Sequence, residues 1–229
     1  QNSFDATIQN ASASGSVTGD TNVGGLVGSL NNDGSVESVT ASGSVAGEKN
    51  VGGLVGVNGE FGTVAKVTSA TASGSVTGIK NVGGLVGRNL NKGTIQDTFA
   101  VGVVSGDSDV GGLVGNNTAT GTTPGTVEQS YFDTRTTGRT TSAGGTGLTT
   151  AQMQGTAAVS NMNLAFGESW QTVSGDYPTL TLTQSAENNP AVLSVQPSTT
   201  SVQPNGSFTV EIVVNQNQTQ TQTQSPQPV

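Results

Sequence analysis

Asn-Val-Gly-Gly-Leu-Val-Gly stands at 22–28, at 50–56 and at 81–87, and returns as Asp-Val-Gly-Gly-Leu-Val-Gly at 109–115. A second string precedes each copy: ASGSVTG at 13–19, ASGSVAG at 41–47, ASGSVTG at 72–78 and a worn AVGVVSG at 100–106. Self-similarity at a period of 20–50 residues marks a repeat architecture. In phase, the copies run 7–34, 35–62, 63–93 and 94–125. The longer third copy reads as three residues added around Thr68–Thr71, and the fourth as a longer turn at Asn117–Gly125.

Within a copy the apolar period is two. Thr63–Val67, Ala72–Gly78 and Val82–Gly87 read as three short strands, with Gly, Asn and Asp between them. Glycine at this density costs about 1 kcal/mol per position in a helix. The reading is all-β: a right-handed parallel β-solenoid of four repeats of about 30 residues, with a C-terminal cap and a short β-forming tail. At about 4.8 Å per coil the rod is on the order of 20–25 Å long. The paired glycines of GGLVG let neighbouring backbones approach, Leu and Val fill the interior, and Asn58, Asn89 and Asn116 suit turns or a stacked ladder.

Composition agrees with a thin core. Only 31% of the 229 residues are apolar and 4% aromatic, low for a globular interior but sufficient for stacked coils. The net charge is −8, and all seven Lys and Arg lie before position 140. Phosphate binding needs clustered cations, so nucleic acid is not an expected partner. Without cysteine, disulfides and thiolate zinc are excluded; no run reaches the 18 apolar residues of a membrane span. No signal peptide is read at Gln1.

GGLVG preceded by ASGSVxG resembles the GLUG-motif repeat of bacterial and archaeal surface proteins. SYFDTRTTGRTTSAGGTGLTTAQMQ at 130–154, followed by Trp170 and Tyr177-Pro178-Thr179-Leu180, looks like the segment that closes such arrays. The resemblance covers roughly 3–182. It implies an extracellular or cell-surface location and the company of adhesins, filamentous-haemagglutinin-like proteins and the flanks of IgA-specific metallopeptidases. No histidine is present, so the peptidase chemistry does not carry over.

The domain reading follows: repeats over 1–125, a closing segment over 126–183, and a linker with a β-forming tail over 184–229. In the closing segment 147–154 reads as a short helix capped by Thr149 or Thr150. Met153, Met162, Leu164, Phe166, Trp170 and Tyr177 supply large apolar groups to plug the last coil. In the tail, 191–195 and 207–214 read as strands that either pair with another copy, giving a fibre through 191–214, or open a truncated sandwich domain. The Gln/Thr-rich end is low-complexity.

The expected function is non-enzymatic: a structural or adhesive segment of a surface protein, with a host or surface glycan or protein as ligand. A subunit of a homopolymeric filament joined by tail exchange is the alternative, and a polysaccharide-active β-helix a further one. No catalytic, cofactor-binding or metal-ligating set is assigned and no cofactor is expected. The nearest acid pairs are Asp107 with Asp109, read as turn acids or weak calcium ligands, and Glu128 with Asp133. Thr18 and Thr77 align across copies, but Ala46 and Ser105 break the row. N-x-[ST] sequons stand at Asn10, Asn116, Asn205 and Asn217.

Overall fold

The computed structural model describes residues 6–60, 64–118 and 124–181. The chain divides into two units, Gln1–Thr183 and Gln184–Val229. The second lies outside the described residues, and with it the tail strands 191–195 and 207–214 and the sequons Asn205 and Asn217.

The first unit is a parallel β-solenoid of about four turns. Each turn carries four strands, not three. The longest strands, Ser35–Ala41, Ala65–Ala72, Gly93–Ala100 and Thr126–Asp133, stack in one sheet with Thr7–Gln9 and Ser12–Ala13 at one end and Thr146–Leu148 at the other. Two-residue strands such as Val45–Ala46 and Val76–Thr77 form a second sheet, Lys49–Gly52 and its equivalents a third, and Val55–Glu60 and its equivalents a fourth. All pairings between coils are parallel. The extra strand arises because GGLVG is a corner, not a strand. Lys80–Gly83 ends there, Gly84 and Leu85 bend, and Val86–Leu90 departs.

That corner explains the motif. An ideal Cβ on Gly84 would lie 2.2 Å from the carbonyl oxygen of Gly112 in the next coil and 2.9 Å from the Ala100 Cβ. Gly53 meets the Gly84 oxygen at 2.2 Å in the same way. The following Leu54, Leu85 and Leu113 are fully buried, stacked one coil above another. Two interiors result. Leu, Val, Ile and Ala columns fill the space between the long and fourth sheets. Val23, Val45, Val51, Val76, Val82 and Val104 fill the narrower one. Small side chains facing glycine suffice here, which is why so few large residues build a core.

The long strands do not alternate simply. Asn10, Ser38, Ser69, Asp97 and Gln129 occupy one position in successive coils, and all have φ between 46° and 58°. Each left-handed residue reverses the pleat, so Val36 and Val39, three apart, both point inward and are fully buried.

Register corrects the placement of the third repeat's insertion. Leu30 pairs with Asn58 28 residues on, whereas Ser35 pairs with Lys66 and Thr40 with Thr71. The added residues therefore lie between Asn58 and Lys66, before the long strand begins, and not around Thr68–Thr71. One of them is taken up as a bulge inside Val55–Glu60, where Leu30 pairs with Asn58 but Asn31 with Glu60, and the other two fall between Glu60 and Lys66, so the pairing of the long strand is undisturbed.

Candidate functional site

Among the described residues no three carboxylates gather as a metal-binding group. Asp107 and Asp109 are exposed, and so is Glu128. Asp133, paired with Glu128 in the sequence reading, is fully buried. Its Oδ1 accepts from the backbone N–H of Arg135 at 2.7 Å and of Thr136 at 3.2 Å, and its Oδ2 accepts from the Tyr177 hydroxyl. It is a fastening point, not half of an acid–base pair.

The closing residues act in two layers. Residues 134–148 run across the end of the last coil. The Thr137 carbonyl takes the N–H of Val104 at 3.1 Å, and the Thr141 carbonyl that of Gly112 at 3.0 Å. Ser142 Oγ takes the N–H of Val114 at 2.9 Å. Phe132 closes the interior, standing where Ala41, Ala72 and Ala100 stand in earlier coils, with its ring against Gly112. The Met and Trp cluster is not that plug. Met153, Ala158, Met162, Leu164, Trp170 and Leu180 form a separate core on Phe99 and Tyr131, which point out of the long sheet. The expected helix runs Thr150–Met153 after Thr149, whose N–H donates to Gln152 Oε1 at 2.9 Å; a second helix, Gly155–Asn161, follows.

Asp97 joins this lateral core to the stack, and sequence reasoning missed it. It is 5% exposed. Ser69 Oγ and Trp170 Nε1 donate to its Oδ2 and the Ala165 N–H to its Oδ1, each at 2.8 Å. The Phe99 and Trp170 ring centroids lie 5.1 Å apart. The one available signal was an acid in a column otherwise filled by Asn, Ser and Gln.

Burial pushes the Asp133 carboxyl up, but hydrogen bonds from Thr150, Tyr177 and the N–H groups of Arg135 and Thr136 outweigh it and hold the group below its ordinary 3.8. Burial, the hydrogen bond to Asp133 and the charge of Asp133 push Tyr177 from 10.0 to about 12. The depressed Asp133 stabilises the fold fully above 3.8 and loses that contribution as pH falls through its lower folded value. The raised Tyr177 stabilises fully below 10 and loses that contribution as pH rises towards 12. Melting followed by Trp170 emission is therefore expected to weaken at both extremes, and Tyr177→Phe to flatten the alkaline limb. An alkaline limb unchanged in that variant counts against the assignment.

Two asparagine ladders run along the rod. Asn50 Nδ2 donates to Asn22 Oδ1 at 2.7 Å and Asn81 Nδ2 to Asn50 Oδ1 at 2.6 Å. Asn58 Nδ2 donates to Asn89 Oδ1 at 2.9 Å and Asn89 Nδ2 to Asn117 Oδ1 at 3.2 Å. The second ladder lies in strands rather than turns, and its fourth-coil member is Asn117, not Asn116, which pairs with Arg88. The first ladder stops at Asp109, which has no N–H to give, and Asn81 Oδ1 is buried without a partner. Asp109→Asn is expected to supply that donor and stabilise the fold by about 1 kcal/mol, a rise of about 2–4 °C in Tm. A Tm that stays or falls would show that the ladder ends for another reason.

Outside, hydroxyls pair across coils: Ser75 with Ser44 at 3.0 Å, Thr7 with Ser35 at 3.0 Å and Thr77 with Ser105 at 3.3 Å. Of the described sequons, Asn10 is exposed and Asn116 accepts from Thr118 Oγ1 at 2.7 Å.

Stacked parallel coils with amide and glycine columns, ended by a non-repeating closing run, define a repeat protein of the β-solenoid class. Residues 19–46 match the family model described as the GLUG motif, so the chain carries a GLUG repeat, and its other copies continue the same stack. No curated protein and no solved structure matches the chain.

Proposed function

We propose that this chain is a non-enzymatic structural and adhesive segment of an extracellular surface protein. The observation that carries the reading is the unbroken parallel register of the coils, from Thr7–Gln9 through Thr126–Asp133. Interior space is filled by stacked Leu, Val, Ala and Asn, and the outer columns present hydroxyls at coil spacing. Such a body holds its surface at a fixed distance and orientation, the mechanical task of a stalk or adhesive module. A GLUG motif on a β-solenoid fits a surface repeat protein.

The reading separates into two measurements. Antibodies against the purified chain are expected to label intact producing cells, and protease shaving to remove the label. Beads coated with the full chain are expected to be retained on glycan or extracellular-matrix surfaces above a blank-bead control. Label only after permeabilisation sinks the surface assignment; retention equal to the blank sinks the adhesive one.

A further inference from the structure

Phe132 and residues 134–148 close the end of the stack, so the lateral core is not needed as a plug. Its outer surface carries two adjoining clefts of about 380 and 430 Å³, with Phe166 and Val159 as their shared wall. Both volumes fall in the range of small-ligand clefts, roughly 300–1,000 Å³. Val159 is 52% exposed and Phe166 partly exposed. Gln129, Asn163 and Glu168, all exposed, line the first cleft.

The wall is held before any ligand arrives. The Asn163 N–H donates to the Tyr131 hydroxyl at 2.6 Å and the Ala165 N–H to Asp97 Oδ1 at 2.8 Å. The Ala165 carbonyl accepts from the N–H groups of Glu168, Ser169 and Trp170 at 3.2, 3.0 and 3.1 Å. The loop carrying Phe166 and Glu168 is thus tied to the long sheet, which lowers the ordering cost of binding. The polar side chains around it are not so engaged. The Asn163 amide and the Glu168 carboxylate make no hydrogen bond among the described residues. Gln129 Oε1 accepts from Gln96 Nε2 at 3.2 Å, which leaves its own Nε2 to donate. Among the described residues Glu168 is the only ionised side chain lining either cleft.

We infer that these clefts bind a neutral oligosaccharide of equatorial pyranose units, packed against Phe166. The C–H face of such a ring is apolar and packs on an aromatic face. Its neighbouring hydroxyls donate to the Glu168 carboxylate and accept from the Asn163 and Gln129 amides. A carboxylate with no cation lining the cleft disfavours phosphate, sulfate and uronate ligands. The inference deepens the adhesive reading by naming a site and a ligand class, and rests on that reading for its role.

The test is calorimetric titration of the full chain with cellotetraose, xylotetraose and chitotetraose, and with tetragalacturonate as the anionic control. Saturable binding of at least one neutral oligomer is expected, and none of the anion. Phe166→Leu keeps an apolar side chain in the wall but removes the aromatic face; Glu168→Ala removes an exposed side chain. Each is expected to weaken binding about tenfold or more, with Tm within about 2 °C of native. No neutral oligomer bound at about 10 mM, the anion bound as tightly as any of them, or equal binding by either variant overturns the proposal. So does a Phe166-dependent dimer of the sugar-free chain, which would name a second copy as the occupant. Sugar binding in solution with bead retention at the blank level upholds the site and sinks the adhesive reading. Bead retention undiminished in both variants upholds adhesion and sinks the site.

Discussion

Gly84→Val is expected to abolish folding or to cost about 4 kcal/mol or more, well beyond an ordinary surface change. The cost comes from the corner. The missing Cβ leaves the space that the Gly112 carbonyl enters at 2.2 Å, with Ala100 at 2.9 Å on the interior side. Neither neighbour is the movable end of a long side chain. Relief requires separating two coils, which breaks parallel pairing in the adjoining sheets at the same time. Chemical denaturation of native and variant chains measures the difference. Gly15→Ala is the matched control, a glycine of the repeat with no neighbour in reach. A Gly84→Val chain that melts with the native one would refute the close-approach account of the motif.

Asp97→Ala is expected to cost about 3 kcal/mol or more and to loosen the lateral core. It leaves the Trp170 indole N–H, the Ala165 N–H and the Ser69 hydroxyl without their acceptor in a buried place. A buried donor left unsatisfied costs about 1–3 kcal/mol. The solenoid's own ladders do not pass through this carboxylate, so far-UV signal from the strands should persist while the emission of Trp170, the single tryptophan, moves to the red. Asp97→Asn retains one acceptor oxygen and should fall between. Native-like Trp170 emission in Asp97→Ala would show that apolar packing on Phe99 and Tyr131 suffices.

The candidate sites were legible only where chemistry was local. Asp107 and Asp109, read as solvated turn acids, are exposed. Asp133 and Asp97 gave no such cue, because their partners lie 44 and 73 residues away at Tyr177 and Trp170. A carboxylate that fastens two layers looks, in sequence, like one on a strand surface.

The sequence by itself determined the repeat, its phase and the parallel stack. Identical strings at nearly constant spacing can satisfy their backbone hydrogen bonds only by lying in register, and glycine density rules out the helical alternative. Tertiary structure decided what local period conceals. GGLVG alternates like a strand but bends as a corner, because the clearance at Gly84 is set by a coil 28 residues on. Val36 and Val39 share a face because Ser38 is left-handed. Met153 and Trp170 look like an end plug but pack on the flank, because Phe132 and residues 134–148 had already closed the end. Each outcome depends on which backbone lies against which, and that is fixed only when the coils stack.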